Sequence, residues 1–566
     1  MRVVVVGGVA GGMSAAARLR RLDESAEIVV LEKGPDVSFA NCGLPYHVGG
    51  DIPDRASLLL HTPETLRASL DLDVRVRHEV LSIDRAARTV SVRDLVGATT
   101  YVLAYDSLVL ATGAEPIVPP LPGLDRAQVR TLRNVPDADA LREMLEAGAQ
   151  KAVVIGAGFI GLETVEAFRH RGLEVALVEL APQVLPALDA DMASMIEDEL
   201  RAHDVDVRVG VAFTSVEESA TDHAVDVVLA DGSRIPADVV LLGVGVRPST
   251  TLARDAGLDL SPQGAVVVTT SQQTSDPHIW AVGDAIQVVD AVTGAPGVVP
   301  LAGPANRQGR TAADAIMGRV VATKPVLGTA IVKVFDLTAA VTGPTSRRLT
   351  AVGVEHRTIH LHPGSHAGYY PGAEAIHLAV TFALDGRLLG AQAVGRDGVD
   401  KRIDVLAVAL RAGMDVDDLA ELELAYAPPF GSAKDPVNMA GFMGQNLLDG
   451  TLVAWTAADL DSALDGSVLL LDVRSAAEYA AGTLSGAINV PHTELRERMD
   501  EVVAAAHGRD VRVFCASGFR SYLAHRVLAG HGLTSATLDG GLMTLAAARR
   551  DLALMPGTGS RPVVAS

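Results

Sequence analysis

Apolar residues in the first half of the chain occur in short unbroken runs that end in glycine, acidic or small residues. Runs without polar interruption are typical of strands buried on both faces of a parallel sheet. They predict strands at 3–6, 28–31, 107–110, 152–155, 175–178, 239–243 and 279–282. Since helical segments separate several of these strands, this half of the chain is expected to adopt an α/β fold.

One strand–turn–helix–strand unit occurs twice in this half. In the first copy, a glycine-rich turn at 7–12 leads into a helix predicted from about residue 13 to about residue 22, and the next strand ends at Glu32. In the second copy, the turn at 156–161 leads into a helix that ends near His170, and the next strand ends at Glu179. The repetition predicts two Rossmann-like dinucleotide-binding domains.

The second turn has the features of a nicotinamide dinucleotide site. Its glycines allow the backbone to approach a pyrophosphate, and the start of the helix supplies free N–H groups. Glu179 lies 23 residues after Gly156, where a carboxylate accepts from a ribose 2′-hydroxyl and repels a 2′-phosphate. NADH is therefore the expected electron donor, with NADPH as the alternative. The candidate residues are Gly156, Gly158, Phe159, Ile160, Gly161 and Glu179.

The first turn departs from the usual pattern, because Val9 occupies the place of the middle glycine. Two further segments favour a flavin here: 111–113 follows one buried strand, and Asp284 follows another, where its carboxylate can accept from a ribityl chain. FAD is the predicted cofactor of this domain. The candidate residues are Gly7, Gly8, Val9, Ala10, Gly11, Gly12, Glu32, Lys33, Ala111, Thr112, Gly113, Gly245, Gly283 and Asp284.

The pattern changes after about residue 325. The segments 330–334, 352–358 and 376–383 alternate more between polar and apolar positions, as strands of an antiparallel sheet do. A helix-rich stretch is predicted from about 401 to 424, and 447–455 is expected to be a linker. From 456 onward, apolar runs at 468–471 and 511–514 predict strands of a further small α/β domain.

Composition limits the classes of partner. The net charge of −21 argues against a nucleic acid or an anionic membrane surface as partner. Two cysteines, Cys42 and Cys515, provide no disulfide framework, as expected in a reducing compartment. The chain enters a strand pattern at its first residues and has no uninterrupted apolar run of membrane-spanning length. A cytoplasmic location is therefore expected.

The two glycine-rich turns, the segment 111–113 and Gly283-Asp284 occur in the order found in FAD-containing pyridine nucleotide–disulfide oxidoreductases, which residues 1–446 resemble. The resemblance implies an FAD domain at 1–113 and 240–325, an NAD(P)H domain at 114–239, and an α+β dimerisation domain at 326–446. It also implies a homodimer.

The segment around Cys42 reads Ser-Phe-Ala-Asn-Cys-Gly-Leu-Pro-Tyr over 38–46. It resembles the single-cysteine branch of that family, most closely the coenzyme A disulfide reductases. A helix start at Cys42 would stabilise a thiolate, and Gly43 is expected to leave open space beside it. Without a second nearby cysteine, the predicted oxidised form is a mixed disulfide between Cys42 and a small thiol, which reduced flavin returns to the thiolate.

Arg18 and Arg21 lie three residues apart on the first predicted helix. From the residues alone, they suit equally a solvated helix face or the binding of phosphates. The resemblance implies that they bind coenzyme A, together with Ser14, Ser38, Asn41, Asn306 and Lys434.

The segments that contain Tyr369, Tyr370 and Tyr426 also match that branch. The resemblance implies that such tyrosines come from the partner subunit and protonate a departing thiolate. Ordinary aromatic packing is the alternative for each of them. Phe430 stands where relatives often have a second tyrosine.

The segments 471–491 and 511–521 resemble the rhodanese superfamily, which places a rhodanese-like α/β domain at 456–555. A strand delivers the loop Cys515-Ala-Ser-Gly-Phe-Arg520, and a helix follows directly. Such a loop surrounds sulfur with backbone N–H groups, and Arg520 adds positive charge for a persulfide. Related phosphatase loops are usually one residue longer, so sulfur transfer is favoured.

The resulting hypothesis is a flavoenzyme that uses NADH to reduce the sulfur–sulfur bond of coenzyme A persulfide, a polysulfide or coenzyme A disulfide through Cys42, with Cys515 handling the sulfane sulfur. Two alternatives stay open. One is an NADH oxidase or peroxidase that cycles through a sulfenic acid on Cys42. The other is a redox-sensing module with little turnover.

Overall fold

The computed structural model describes residues 1–220 and 222–557. The chain forms two compact units. The first contains Met1–Leu185 and Leu200–Gly328, and the second contains Pro186–Glu199 and the chain from Thr329 onward. No helix within the described residues is both long enough and apolar enough to cross a bilayer.

The elements up to residue 328 fall into a strand set and a helix set. The strands are β1 (Arg2–Val6), β2 (Glu27–Glu32), β3 (Asp73–Val76), β4 (His78–Asp84), β5 (Thr89–Asp94), β6 (Thr99–Ala104), β7 (Ser107–Leu110), β8 (Ala114–Pro116), β9 (Val129–Arg130), β10 (Lys151–Ile155), β11 (Glu174–Glu179), β12 (Val205–Val209), β13 (Phe213–Glu218), β14 (Val225–Leu229), β15 (Arg234–Ala237), β16 (Val239–Leu242), β17 (Val246–Pro248), β18 (Ile279–Ala281), β19 (Val288–Val289) and β20 (Pro296–Gly297). The helices are α1 (Ala10–Leu22), α2 (Leu44–Gly49), α3 (Pro63–Leu70), α4 (Val135–Glu146), α5 (Phe159–His170), α6 (Ala190–Ala202), α7 (Thr251–Asp255) and α8 (Ala302–Ile316). Residues of α6 up to Glu199 belong to the second unit.

Two parallel five-stranded sheets organise the first unit. Their strand orders are β18-β7-β1-β2-β3 and β12-β11-β10-β16-β9. In each sheet the strand that leads into a glycine-rich turn is flanked by two parallel partners: β1 by β2 and β7, and β10 by β11 and β16. The four residues Val3–Val6 and Ala152–Ile155 are buried, because α-helices and small antiparallel sheets cover both faces.

The second unit adds two sheets and their helices. The strands are β21 (Ala330–Val334), β22 (Leu337–Thr342), β23 (Arg357–Leu361), β24 (Ile376–Phe382), β25 (Leu388–Gly395), β26 (Ala454–Trp455), β27 (Leu469–Asp472), β28 (Ile488–Asn489), β29 (Val511–Phe514) and β30 (Ser535–Leu538). The helices are α9 (Ser346–Ala351), α10 (Val399–Ala412), α11 (Val416–Glu421), α12 (Pro436–Leu448), α13 (Leu460–Ala463), α14 (Ala476–Ala481), α15 (Met499–Ala506), α16 (Phe519–Gly530) and α17 (Gly541–Ala548).

The two sheets of this unit differ in strand direction. The sheet β21-β22-β25-β24-β23 is antiparallel throughout. The sheet β26-β30-β29-β27-β28 is parallel throughout. This architecture confirms the expected combination of two Rossmann-like domains, an α+β domain and a C-terminal α/β domain.

Several boundaries differ from the sequence-based expectation. The helix-rich stretch predicted over about 401–424 consists of α10 and α11, which are separate because Gly413 adopts φ 74° and Asp415 caps the second helix through the backbone N–H of Asp418. The strand predicted over 352–358 begins only at Arg357, because α9 and a turn at Gly353 with φ 72° precede it. The interval 447–455 is shorter as a connection than predicted, since α12 runs to Leu448 and β26 pairs with β30.

Candidate functional site

The two glycine-rich turns have the same backbone construction. Gly7 and Gly156 adopt φ 104° and 103°, and a Cβ at either position would collide with a carbonyl oxygen, that of Ala111 or of Gly243. Such values favour glycine strongly. At the start of each helix, a Cβ on Gly12 or Gly161 would likewise collide with the first glycine of its own turn. The repeated unit seen in the sequence is therefore also a repeated backbone geometry.

Each turn is fixed by the glutamate that ends the neighbouring strand. Glu32 accepts from the backbone N–H groups of Gly8 and Gly34, both at 2.7 Å. Glu179 accepts from Ala157 and Ala181, again both at 2.7 Å. Each carboxylate oxygen keeps a free lone pair direction for a ribose hydroxyl. The arrangement is the one expected for dinucleotide sites.

The backbone at the remaining dinucleotide candidates leaves space for a ligand or adopts conformations that favour glycine. A Cβ on Gly158 would meet no atom within 4 Å, so space for a pyrophosphate is open there. Gly113, Gly245 and Gly283 all adopt positive φ, at 66°, 111° and 79°. Thr112 Oγ1 donates to the carbonyl of Ser249 at 2.5 Å. These residues fit two bound dinucleotides.

Three candidates of the predicted flavin site, Val9, Lys33 and Asp284, differ in their surroundings. Val9 precedes α1 as its N-cap with φ −115°, which needs no glycine. Lys33 is exposed and forms an ion pair with Glu79 at 2.7 Å. Burial raises the pKa of Asp284, while the positive charge of Arg133 opposes that rise.

Cys42 lies in a 3₁₀ turn, Asn41–Gly43, and α2 begins after it at Leu44. The predicted helix start at Cys42 is thus displaced by two residues. Its thiol is exposed, and Sγ donates weakly to Asn41 Oδ1 at 3.8 Å. The space beside Gly43 is not open as expected, because a Cβ there would lie 3.0 Å from Leu58 and 3.2 Å from Ile52.

The electrostatic surroundings of Cys42 oppose its ionisation. Desolvation of the thiol by the surrounding protein is the main cause that raises its pKa, and the negative charges of Glu163 and Asp284 raise the pKa further. This differs from the expected stabilisation of the thiolate by a helix start.

Glu163 and Tyr46 form a pair that sequence reasoning did not single out. Tyr46 on α2 donates its hydroxyl to Glu163 Oε1 on α5 at 3.2 Å. Burial raises the pKa of Glu163 to about 7, although the hydrogen bond from Tyr46 lowers it in part. The available signals were the position of Glu163 two residues after the last glycine of the second turn, and Tyr46 at the end of the Cys42 segment.

The substrate candidates of the first unit cluster on α1 and α8. Ser14 donates to Asn306 Oδ1, so two predicted residues from distant parts of the chain meet. Arg18 is bound to Asp314 at 2.7 Å with its side chain 15% exposed, whereas Arg21 is exposed. Arg18 is therefore engaged by a carboxylate within the unit, while Arg21 is the accessible member of the predicted phosphate-binding pair.

The loop candidates near Cys42 are held by the backbone. Ser38 adopts φ 50°, and its N–H donates to the carbonyl of Gly8 at 2.7 Å. This bond places Ser38 beside the first glycine-rich turn, whereas the N–H of Asn41 donates to the carbonyl of Phe39 at 3.1 Å. Lys434, in the second unit, is exposed.

The tyrosine candidates separate into a pair and a single residue. Tyr369 and Tyr426 share a hydrogen bond between their hydroxyls at 2.8 Å, and both side chains are exposed. Tyr370 instead packs edge-on against His366, with ring centroids 5.6 Å apart. Phe430 is exposed nearby in sequence. The structure thus distinguishes the two adjacent tyrosines, which the sequence did not.

Cys515 follows β29 and is buried. The backbone N–H of Ser521 donates to Sγ at 3.4 Å, and Sγ lies 3.5 Å from the hydroxyl of Ser521. That hydroxyl donates to Gly518 O at 2.9 Å and accepts from Thr537 at 2.6 Å. One backbone N–H and one hydroxyl, both of Ser521, therefore contact the sulfur, and Thr537 extends the hydrogen bonding from that hydroxyl.

Arg520 is oriented by a carboxylate. Its guanidinium donates to both oxygens of Glu478, at 2.7 and 2.8 Å. Hydrogen bonds from Arg520, and from Ser475 at the start of α14, lower the pKa of Glu478 to about 2. Bidentate contact fixes the plane of the guanidinium, so Glu478 determines where the positive charge lies beside the loop.

The model of the pyridine nucleotide-disulphide oxidoreductase family matches residues 1–309, and that of its dimerisation domain matches 329–436. The chain belongs to the pyridine nucleotide-disulphide oxidoreductase family. A rhodanese-like domain model matches residues 456–548. The family assignment and the geometry of the two turns agree.

Three relatives of this oxidoreductase extend the comparison. Coenzyme A disulfide reductase of Staphylococcus haemolyticus is 38% identical over 449 residues, which are 79% of this chain and all of that protein. The structure of reduced Bacillus anthracis CoADR-RHD is 43% identical, with a TM-score of 0.95, over 98% of this chain and 99% of that one. An NAD-dependent persulfide reductase from A. fulgidus is 38% identical, with a TM-score of 0.90, over 96% and 100%.

Proposed function

We propose that this oxidoreductase binds FAD, takes electrons from NADH and reduces sulfur–sulfur bonds of coenzyme A persulfide or coenzyme A disulfide at Cys42. The observation that carries the proposal is the exposed Cys42 thiol in the same unit as two dinucleotide-type turns, with a titratable carboxyl, Glu163, in its electrostatic surroundings. The similarity to a coenzyme A disulfide reductase and to a persulfide reductase supports it.

The proposed reactions balance with one NADH each. A persulfide RSSH, NADH and one proton give RSH, hydrogen sulfide and NAD⁺. Coenzyme A disulfide, NADH and one proton give two coenzyme A thiols and NAD⁺. In both cases the thiolate of Cys42 attacks the sulfur that is bonded to the carbon of coenzyme A, and the S–S bond breaks. Hydrosulfide leaves from the persulfide, or a coenzyme A thiolate leaves from the disulfide, and a mixed disulfide between Cys42 and coenzyme A forms.

The roles of the chain's own groups follow from this scheme. FAD, when bound, supplies the route by which the electron pair of NADH reaches the mixed disulfide. The carboxyl of Glu163, with its pKa raised to about 7, can release or take up a proton at neutral pH. Asn41 contacts Sγ and orients the thiol.

Substrate binding is proposed for the α1–α8 surface that carries Ser14, Arg21 and Asn306. Lys434, in the second unit, stays a separate candidate for binding coenzyme A. An exposed guanidinium suits the phosphates of coenzyme A. Arg18 then serves to hold α1 to α8 through Asp314. The matching dimerisation domain supports a homodimer, in which the Tyr369–Tyr426 hydroxyl pair is the proposed proton donor to the departing thiolate.

Cys515 is the proposed acceptor of sulfane sulfur. Its thiolate would take the outer sulfur of a persulfide donor and pass it to a small thiol such as coenzyme A, which regenerates the persulfide substrate for Cys42. The backbone N–H of Ser521 and the guanidinium of Arg520 are the groups that would stabilise the anionic outer sulfur.

An anaerobic assay tests the proposal. NADH oxidation, sulfide and free thiol are measured together with coenzyme A persulfide, coenzyme A disulfide, polysulfide or no acceptor, followed by the same reaction in air. The expected result is stoichiometric NADH oxidation and sulfide release with the persulfide, and two thiols per NADH with the disulfide. Rapid oxygen consumption with slow turnover of every sulfur acceptor would instead identify an NADH oxidase.

The variant Cys515→Ser separates the two sulfur sites. Reduction of coenzyme A disulfide is expected to stay at the wild-type rate, and sulfide release from a sulfane donor such as thiosulfate plus coenzyme A is expected to fall. Equal rates for both substrates in this variant would remove Cys515 from the cycle and leave the reductase assignment intact.

A further inference from the structure

Two histidines, His360 on β23 and His362 directly after it, contact the segment 539–544, which supports the Cys515 loop. The backbone N–H of His360 donates to Asp539 Oδ1 at 3.0 Å, and its Nδ1 lies 2.6 Å from Asp539 Oδ2. On the other side of the ring, Nε2 lies 2.8 Å from Asp191 Oδ2. Since both ring nitrogens face carboxylate oxygens, both must donate, and the ring is an imidazolium.

The second histidine, His362, is neutral by the same reasoning. Its Nε2 lies 3.0 Å from the carbonyl oxygen of Gly540, which can only accept, so Nε2 carries the hydrogen. Its Nδ1 must then accept from Nδ1 of His377, 2.8 Å away. Thr544 Oγ1 lies 2.9 Å from the same Nε2. One charged and one neutral ring therefore hold 539–544 at three points.

The opposite side of that segment supports the Cys515 loop. The backbone N–H of Leu542 donates to the carbonyl of Cys515 at 2.9 Å, and that of Met543 donates to Ala516 at 3.0 Å. A Cβ on Gly541 would lie 2.7 Å from Cys515 O, and one on Gly540 would lie 2.8 Å from His360 Cβ. The space between the histidines and the Cys515 loop therefore has no room for a side chain at Gly540 or Gly541.

We propose that His360 and His362 are positioning residues for the chemistry of Cys515: through Asp539, Gly540 and Thr544 they hold the start of α17 against the Cys515 loop. The proposal rests on the proposed role of Cys515 in sulfur transfer. The contacts of the two histidines with Asp539, Gly540 and Thr544 are called the clamp. The α+β domain then contributes to a reaction that takes place in the rhodanese-like domain, and the backbone N–H of Ser521 keeps its position at the sulfur only while the clamp is intact.

The clamp should act within a defined pH window. Burial opposes the charge on His360, but the carboxylates of Asp539 and Asp191 outweigh it and raise the pKa of His360 well above its usual value. Its contribution is therefore complete below the ordinary histidine value of about 6.5 and is lost as pH rises through the raised value. Burial, His377 and the charge of His360 lower the pKa of His362 to about 3. The contribution of His362 is present above the ordinary value of about 6.5. It is lost as the pH falls from there to about 3, the pKa of His362 in the folded protein.

The test uses the full-length flavoprotein with Cys42→Ser, in which Cys515 is the remaining cysteine. Two readouts are followed from acid to alkaline pH: loading of Cys515 by glutathione persulfide, measured by mass spectrometry, and its alkylation by iodoacetamide. His360→Asn should lower the rate constant of persulfide loading on the order of tenfold, as loss of a charge-assisted hydrogen bond does. It should also abolish the decrease of that rate constant at alkaline pH, which is called the alkaline limb. His356→Asn is the matched control, because His356 contacts Ser346 and Val354 instead.

Asp191→Asn distinguishes positioning from simple folding. Asparagine keeps the shape of this side chain but removes one of the two carboxylates that stabilise the imidazolium, so the alkaline limb should move to lower pH while the neutral plateau stays. In a Cys42-containing background, both variants should reduce coenzyme A disulfide at the wild-type rate. That activity also shows that the protein is folded.

Wild-type rates and an unmoved alkaline limb in both variants would overturn the clamp. Failure of Cys515 to accept persulfide with His360 intact would instead count against the sulfur-transfer function. The alkylation rate then still tests the clamp, because it reports on the loop without any sulfur donor.

Discussion

The two cysteines of this oxidoreductase occupy opposite kinds of surroundings. Cys42 is exposed in a short turn, and the groups that act on its charge are the carboxyls of Glu163 and Asp284. Cys515 is buried in a loop, with the N–H and hydroxyl of Ser521 at its sulfur and Arg520 anchored beside it. The sulfur of Cys42 has negative charges in its electrostatic surroundings, whereas the sulfur of Cys515 accepts a hydrogen bond from the backbone N–H of Ser521.

The difference corresponds to two tasks in sulfur chemistry. A cysteine that forms a mixed disulfide with a large thiol and is then reduced to the thiolate benefits from nearby proton-exchanging groups and from access for a bulky substrate. A thiol that must carry an anionic outer sulfur benefits from preorganised donors and a fixed cation. The predictions below test whether the two sites are divided in this way.

The largest effect is expected at Cys42. Cys42→Ser removes the sulfur that forms the mixed disulfide, so reduction of coenzyme A disulfide should fall on the order of a thousandfold or more, as loss of a nucleophile does. NADH consumption with the disulfide, measured anaerobically, checks this. Cys515→Ser is the matched control, and a Cys42→Ser protein that turned over at the wild-type rate would contradict the assignment.

Glu163→Gln should have the next largest effect. Removal of a group that exchanges protons should slow disulfide reduction by about a hundredfold, within the usual range for general acid–base catalysis. The wild-type profile should change near pH 7, where Glu163 loses its proton, and this limb should disappear in the variant. The measurement is kcat against pH. A limb that persists in Glu163→Gln would assign it to another group.

The same carboxyl has a consequence for stability. Because its folded pKa of about 7 exceeds the ordinary glutamate value of about 4.3, the folded state binds the proton more tightly. Folding free energy should therefore become less favourable as pH rises from that lower value to about 7. Glu163→Gln should flatten this part of a thermal unfolding profile, and Glu143→Gln, at an exposed position of α4, serves as the control.

Glu478→Gln sharpens the comparison at the second site. Loss of the charged partner should free the guanidinium of Arg520 and lower persulfide loading of Cys515 on the order of tenfold, as a lost charge-assisted hydrogen bond would. Coenzyme A disulfide reduction should not change. Mass spectrometry of Cys515 in the Cys42→Ser background measures the effect, and unchanged loading would show that Arg520 does not need Glu478.

The smallest effect is expected at the nicotinamide turn. Glu179→Gln keeps an acceptor for the ribose but removes a negative charge, so the preference for NADH over NADPH should fall about fivefold, the value of one exposed charge repulsion. The ratio of kcat/KM for the two donors measures this. Glu32→Gln, at the equivalent place of the flavin turn, should leave that ratio unchanged.

Much of the fold follows from local patterns. The strands that lead into the two glycine-rich turns, the glutamates that end the next strands and the loop of Cys515 were all predicted within one or two residues. The fully buried strand β25 was not predicted, since its Gly-Ala-Gln-Ala-Val sequence has no alternation to mark it. The helix-rich stretch predicted over about 401–424 contains two helices, because Gly413 in the left-handed region ends the first of them.

The candidate sites divide in a similar way. The sequence by itself determined which residues are candidates for the chemistry, because a cysteine between a strand and a helix, or a glycine-rich turn after a strand, is visible in a few consecutive residues. Only the tertiary structure decided which carboxyl acts on which candidate group: Glu163 on Cys42, Asp314 on Arg18, and Asp539 on His360. These pairs join residues far apart in sequence, and their charge states depend on the burial that packing creates.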